Sequence, residues 1–184
     1  RIARSKGYRT RSAYKLKQIQ ERFGIIRRGD AVLDVGCHPG GWAQVAVEEV
    51  GEEGLVIGVD LLATSPVDGA SIIIGDITEE DTIARIRQTL GERGLNVVVS
   101  DISPNLTGRY DTDQTISLEL ATLVLDAAME FIPPGGGFVT KIFQGTGIEG
   151  LVAAARDRFS NVQRYSPTAS RSASSETYLI CQNR

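Results

Sequence analysis

The stretch LDVGCHPGGW, residues 33–42, decides the reading of this chain. It grows out of a short apolar run, AVLDV (31–35), and leads into AQVAVEEV, which reads as a helix. A glycine-dense loop between a strand and a helix lets a ligand and the backbone come close. The loop is not G-x-G-x-x-G, and Pro39 has no N–H to offer a pyrophosphate. Nor is it a Walker A loop, because no Lys-Ser/Thr follows. Polyphosphate ligands are therefore disfavoured.

Outward from this loop the pattern repeats. LVIGVD (55–60), SIIIGD (71–76) and LNVVVSD (95–101) read as strands, and each closes with an aspartate. A helix is expected from Glu79 to Leu90, a loop over 103–112 and a long helix over 113–130, ending before PPGGG. Then come strand FVTKIF (138–143), helix GLVAAARDRF (150–159) and two late strands near NVQRY and TYLIC. Upstream, SAYKLKQIQERFG sets Leu16, Ile19 and Phe23 at helical spacing, with Ser12 as N-cap and Gly24 as stop. Strands alternating with helices predict an α/β fold, a mostly parallel sheet with helices on both faces. The last two strands are joined by a loop, which predicts antiparallel pairing.

Ligands in such sheets bind beyond the carboxyl ends of the strands. Asp34, Gly36, Asp60, Asp76 and Asp101 all fall at or just past such ends. One aspartate there is ordinary, but four on successive strands form an acidic pocket suited to a neutral or cationic ligand. Asp60 is placed to accept from two ribose hydroxyls, and Asp76 could accept from an adenine amine. A nucleoside without phosphates and with a positive centre fits, which is S-adenosylmethionine.

A chain of 184 residues suffices for one α/β domain. It does not begin with Met, which reads as a fragment or processed form. No apolar run approaches the roughly 20 residues of a bilayer span, and no signal peptide is visible. Cys37 and Cys181 form neither a metal spacing nor a disulfide framework, and one His adds too little for a zinc site. A reducing, cytoplasmic setting, no metal and a monomer are expected. The net charge of -3 hides an asymmetry: residues 1–28 carry +9 and the rest -12. The basic segment 1–28 is read as an RNA-binding arm and helix belonging to the same domain as the catalytic body, 29–184. Arg4, Arg9 and Arg11 would face phosphates, and Tyr8 and Tyr14 could stack on bases. The plainer reading is a solvated charged helix.

The segments LDVGCHPGGWAQVA, GVDLL, IIGDIT, SDISPNLTG, PPGGGFVTKIFQG and SRSASSETYLIC occur in this order, after RSAYKLKQI. Together they resemble the FtsJ/RrmJ family of RNA ribose 2'-O-methyltransferases over almost the whole chain. The resemblance implies a Rossmann-like methyltransferase fold of about seven strands, one of them antiparallel. It implies a Lys-Asp-Lys-Glu catalytic set, here Lys15, Asp101, Lys141 and Glu176. It also implies donor contacts at Gly40, Trp42, Asp60, Asp76 and Asp101. Large-subunit ribosomal RNA is the implied substrate, with a uridine in the peptidyl-transferase region; a tRNA anticodon-loop ribose is the alternative acceptor. Cys37-His38 departs from the small residues common in bacterial members and bears on the shape of the donor loop.

Each residue also has a plainer reading. Lys141 inside an apolar strand pattern could guard a sheet edge, Lys15 could be one arm charge among many, and Trp42 could be core. In the active reading Lys141 is a base or an orienting group for the ribose hydroxyl, and Asp101 and Glu176 hold the cluster. Rival chemistries fit less well. DISPN lacks the second Pro and the aromatic of base-amine methyltransferases, neither Cys is placed as a nucleophile for cytosine C5 chemistry, and no Tyr-x-x-x-Lys occurs. A catalytically silent RNA-binding assembly factor on the same fold is the remaining alternative.

Overall fold

The computed structural model describes residues 7–103, 107–168 and 176–184. Its elements run α1 (Ala13–Phe23), β1 (Ala31–Val35), α2 (Gly41–Val50), β2 (Leu55–Asp60), β3 (Ala70–Ile74), α3 (Glu80–Leu90), β4 (Val97–Ser100), α4 (Tyr110–Met129), β5 (Gly137–Phe143), α5 (Ile148–Arg156), β6 (Asn161–Tyr165) and β7 (Glu176–Gln182). The seven strands form one sheet in the order β3-β2-β1-β4-β5-β7-β6. All pairings are parallel except those of β7, which runs against both β5 and β6. The expected single antiparallel strand is therefore β7, inserted between two strands that precede it in the chain.

All five residues of β1 are buried, so both faces of the sheet must be covered. The alternation of side chains sorts them. Leu33, Ile57, Val98, Phe138 and Leu179 enter one core with α3, α4 and α5. Val32, Val56, Val99, Val139, Tyr178 and Ile180 enter the other with α1 and α2. Full burial of one such aliphatic side chain stabilises the fold by about 1.5–3 kcal/mol. The same alternation places Asp34 on the α1/α2 face, two residues after Val32.

Some boundaries differ from the sequence reading. Strand β3 stops at Ile74, because Gly75 turns its N–H to the Asp60 carbonyl (2.9 Å). Helix α4 starts at Tyr110, earlier than expected. Its start is set by Asp113, whose carboxylate accepts the N–H groups of Thr107 (2.7 Å) and Gly108 (3.1 Å) and folds the preceding chain onto the first turn. Helix α5 is shifted toward the N-terminus, beginning after Gly147 at φ 90°. Gly24 does end α1 in the left-handed conformation, but Ser12 makes no side-chain cap. Among the described residues no helix is long and apolar enough to cross a membrane.

Candidate active site

Register brings the polar residues to one line. Asp34 lies opposite Gly58 on β2 and Val99 on β4. One same-face step toward the carboxyl ends lie Gly36, Asp60, Asp101 and Lys141, just past the last residues paired between β1 and β2 and between β4 and β5, with Lys141 opposite Tyr178. A further step puts Phe143 opposite Glu176. Parallel strands thus deliver carboxylates from β1, β2 and β4 to the same mouth as a lysine from β5.

On the β1–β2 side the charges are acidic. Asp34 is 1% exposed, and its Oδ2 accepts no hydrogen bond. Burial pushes its pKa well above the ordinary aspartate range, and the nearby charges of Asp101 and Asp60 add to the rise. Asp60 ties two loops together, taking the N–H of His38 on Oδ2 (2.9 Å) and that of Leu62 on Oδ1 (2.8 Å). Asp76, in the turn beyond β3, takes the N–H (2.9 Å) and hydroxyl (2.6 Å) of Thr78, and these bonds lower its pKa. A buried carboxylate oxygen without a partner, flanked by two more carboxylates, is a setting that a cationic ligand would neutralise. The narrow cleft here is lined by Thr10, Ser12, Asp34, Gly36, Trp42 and Asp101, among others. A larger cavity, about 190 Å³, lies at the opposite end of the strands around Asn96 and Gly136, and none of the candidate residues line it.

On the β4–β5–β7 side every cation has an anion. Lys141, 7% exposed, sits 3.4 Å from Asp101 Oδ1 and donates to the Ser103 hydroxyl. Lys15, on α1, meets Glu176 at 2.8 Å. Tyr178 donates its hydroxyl to Asp101 Oδ1 at 2.6 Å. Burial first, then the Asp101 charge, raises the Tyr178 pKa, so the phenol stays protonated. The four residues expected as a tetrad thus lie in two lysine–carboxylate pairs, and Tyr178, which the sequence reading did not single out, bonds to one of them. Tyr178 is two residues from Glu176 and so shares its face of β7, but only the placement of β7 beside β5 brings it to Asp101.

From Gly7 onward the basic segment is fixed to the body. Gln44 on α2 accepts the Arg9 N–H (2.8 Å) and donates to the Gly7 carbonyl (3.0 Å). Trp42 donates its indole N–H to the Ser12 carbonyl (2.8 Å) and stacks on Tyr178 at 5.6 Å between ring centroids. Tyr8 is buried, meets the Tyr14 ring edge-on and donates to Glu48, so it offers no open face to a base. The glycines of the loop at 36–41 also answer to the protein itself. A Cβ on Gly36 would lie 2.3 Å from Ile102, one on Gly40 3.0 Å from the Arg9 guanidinium, and one on Gly41 2.1 Å from the Thr10 hydroxyl. Arg11 is exposed. Arg4 lies outside the described residues. Cys37 is buried over Gly58, and burial together with Asp34 pushes its thiol up to about 12, as burial does for Cys181. Neither is a ready thiolate nucleophile.

The FtsJ-like methyltransferase family matches residues 8–184. The ribosomal RNA large subunit methyltransferase E of Halorubrum lacusprofundi is 48% identical over 98% of this chain and 68% of its own length. That of Methanosarcina acetivorans is 46% identical over 97% of the chain and 65% of its own length, so the chain spans about two thirds of these relatives. In solved structures, a ribosomal RNA methyltransferase of Plasmodium falciparum superposes with a TM-score of 0.86 at 27% identity, covering 96% of this chain and 98% of that one.

Proposed function

The chain belongs to the FtsJ-like methyltransferase family, and on that premise we propose that it methylates a ribose 2'-hydroxyl of large-subunit ribosomal RNA, a uridine, with S-adenosylmethionine as donor. The observation that carries the reading is the contrast at the strand ends: a buried carboxyl oxygen without a partner, on Asp34, beside a lysine–carboxylate pair, Lys141–Asp101.

When bound, the donor supplies an electrophilic methyl group on a sulfonium. Asp60 would hold its ribose hydroxyls, Asp76 its adenine amine, and the Gly36–Gly40 loop its tail. Asp101, and Asp34 once a bound cation displaces its proton, would provide the negative field that a sulfonium and an ammonium need. Trp42 shapes the cleft wall. On the acceptor side, Lys141, once its own proton has passed to solvent, would orient the 2'-hydroxyl and take its proton as the oxygen gains the methyl group and the donor's sulfur keeps the bonding pair. Asp101 holds Lys141 in place, and Tyr178 fixes Asp101. Lys15 and Glu176 form the outer rim, where the rest of the nucleotide would lie. In-line placement of oxygen and methyl carbon carries much of the catalysis. Arg11, with Arg4, is assigned to the RNA backbone. Ribosomal RNA is favoured as substrate by the names of the relatives.

The test is incubation with large-subunit ribosomal RNA, tRNA and labelled donor, followed by alkaline hydrolysis, which leaves a 2'-O-methylated linkage uncut. One resistant linkage at a uridine of the ribosomal RNA is expected. Label on a base, or in tRNA alone, would overturn the reading.

A further inference from the structure

Arg9 was read from sequence as a phosphate contact, but its guanidinium is occupied. Nη1 donates to the Pro39 carbonyl at 2.9 Å and to the Ser65 carbonyl at 2.7 Å, and Nη2 donates to the Pro66 carbonyl. Pro39 belongs to the loop after β1, and Ser65 and Pro66 belong to the loop after β2. These are the two loops that a nucleoside held by Asp60 must lie between. Two other links join the same loops: the His38 N–H to Asp60, and the His38 ring to the Thr64 hydroxyl at 3.2 Å. Arg9 adds a third from outside, and its own backbone is fixed to α2 through Gln44. The fit is close. Gly40 has φ 120°, and a Cβ there would lie 2.9 Å from Val67 and 3.0 Å from Arg9. The glycine thus admits the arginine as well as leaving the loop open.

Resting on the donor-binding reading above, we propose that Arg9 is a positioning residue of the donor pocket: a fork that fixes the spacing of the two loops around the nucleoside, so that the basic arm contributes to donor affinity as well as to RNA binding. A guanidinium suits this role because its planar array of donors can serve three carbonyls at once, which an ammonium on a flexible stem does not reproduce. Arg9 and Arg11 are both exposed, but it is the Arg9 guanidinium that is bonded to the loops, and Arg11, two residues along, keeps the RNA role. The same short segment therefore serves both ligands, and neighbouring arginines divide the work.

The experiment compares the parent protein with Arg9→Ala, Arg9→Lys and Arg11→Glu. Donor affinity is measured by calorimetry, RNA affinity is measured across salt concentrations, and a thermal melt confirms folding. Arg9→Ala and Arg9→Lys are expected to weaken donor binding about tenfold, raise the donor KM more than they lower kcat, and leave the salt slope of RNA binding as in the parent. Arg11→Glu is expected to reduce that slope by about one to two and to leave donor affinity in place. If Arg9→Ala does not fold, Arg9→Gln carries the test. A parent that binds no donor would refute the donor reading itself. A parent that binds donor, with Arg9 variants binding equally well or losing salt slope instead, would overturn the proposal alone.

Discussion

The two halves of the strand-end mouth handle charge in opposite ways. On the β1–β3 side Asp34, Asp60 and Asp76 make no ion pair among the described residues, and Asp34 Oδ2 accepts nothing at all. On the β4–β5–β7 side Lys141 has Asp101 at 3.4 Å and Lys15 has Glu176 at 2.8 Å. One half leaves a buried carboxyl oxygen without a partner, which in the proposed reading a cationic donor satisfies. The other is neutral within itself and needs only a hydroxyl. A buried charge without a partner is costly, whereas a paired one is held by its neighbour. The lesson is that damage to the first half should appear in affinity and in the stability of the free protein, while damage to the second should appear in rate.

The comparison breaks most visibly at Lys141. Lys141→Ala should lower single-turnover methylation by about 10²–10⁴-fold, the usual contribution of a positioned proton acceptor, with donor and RNA still bound. Lys141→Arg should not restore it, because a guanidinium stays protonated and bonds in a different geometry. Rates near the parent in Lys141→Ala would leave placement alone as the catalytic effect of this half. Asp60 sharpens the other side. Asp60→Ala should weaken the donor by about 2–3 kcal/mol, roughly 30- to 150-fold, while the rate at saturating donor falls far less. Unchanged calorimetric affinity would remove Asp60 from the donor site.

The smallest effect is the most specific. The raised pKa of Asp34 means the folded, donor-free protein holds a proton that the unfolded chain releases. Stability must then fall as pH rises from the ordinary aspartate range, near 4, through the raised value, and the loss is complete above it. Asp34→Asn removes that titration. It should stabilise the donor-free protein by about 1–3 kcal/mol near neutral pH, with the advantage vanishing below about pH 4, yet weaken donor binding. Denaturant melts of both proteins across pH measure this. A parallel pH dependence in the two would show that Asp34 is not strained.

Much of this was legible in the sequence because it is periodic. Strand order apart, the elements announce themselves by apolar alternation and by aspartates at strand ends, and the tetrad by the motifs of its family. What escaped is what depends on another segment's surface. The burial of Tyr8 depends on Glu48, forty residues away. The role of Tyr178 depends on β7 lying beside β5 rather than after β6, which no local pattern encodes. The glycine-dense loop was read as room for a ligand, but at 36, 40 and 41 the neighbours that demand glycine include the chain's own Ile102, Arg9 and Thr10. A charge count gives a basic arm; it does not distinguish an arginine that faces solvent from one that is already bonded.

The insertion of β7 between β5 and β6 has a consequence for the order of assembly. Asp34, Asp60, Asp76 and Asp101 all precede β5 in the chain, whereas Glu176 and Tyr178 lie on β7, and the Lys15–Glu176 pair spans 161 positions of sequence. Loop closure over such distances is slow and depends on what has already condensed. Until the final strand slides into its slot, the edge of β5 stays unpaired, and the acceptor side lacks its second carboxylate and its tyrosine. In the proposed reading, the residues that hold the donor are thus in place before the acceptor side is complete.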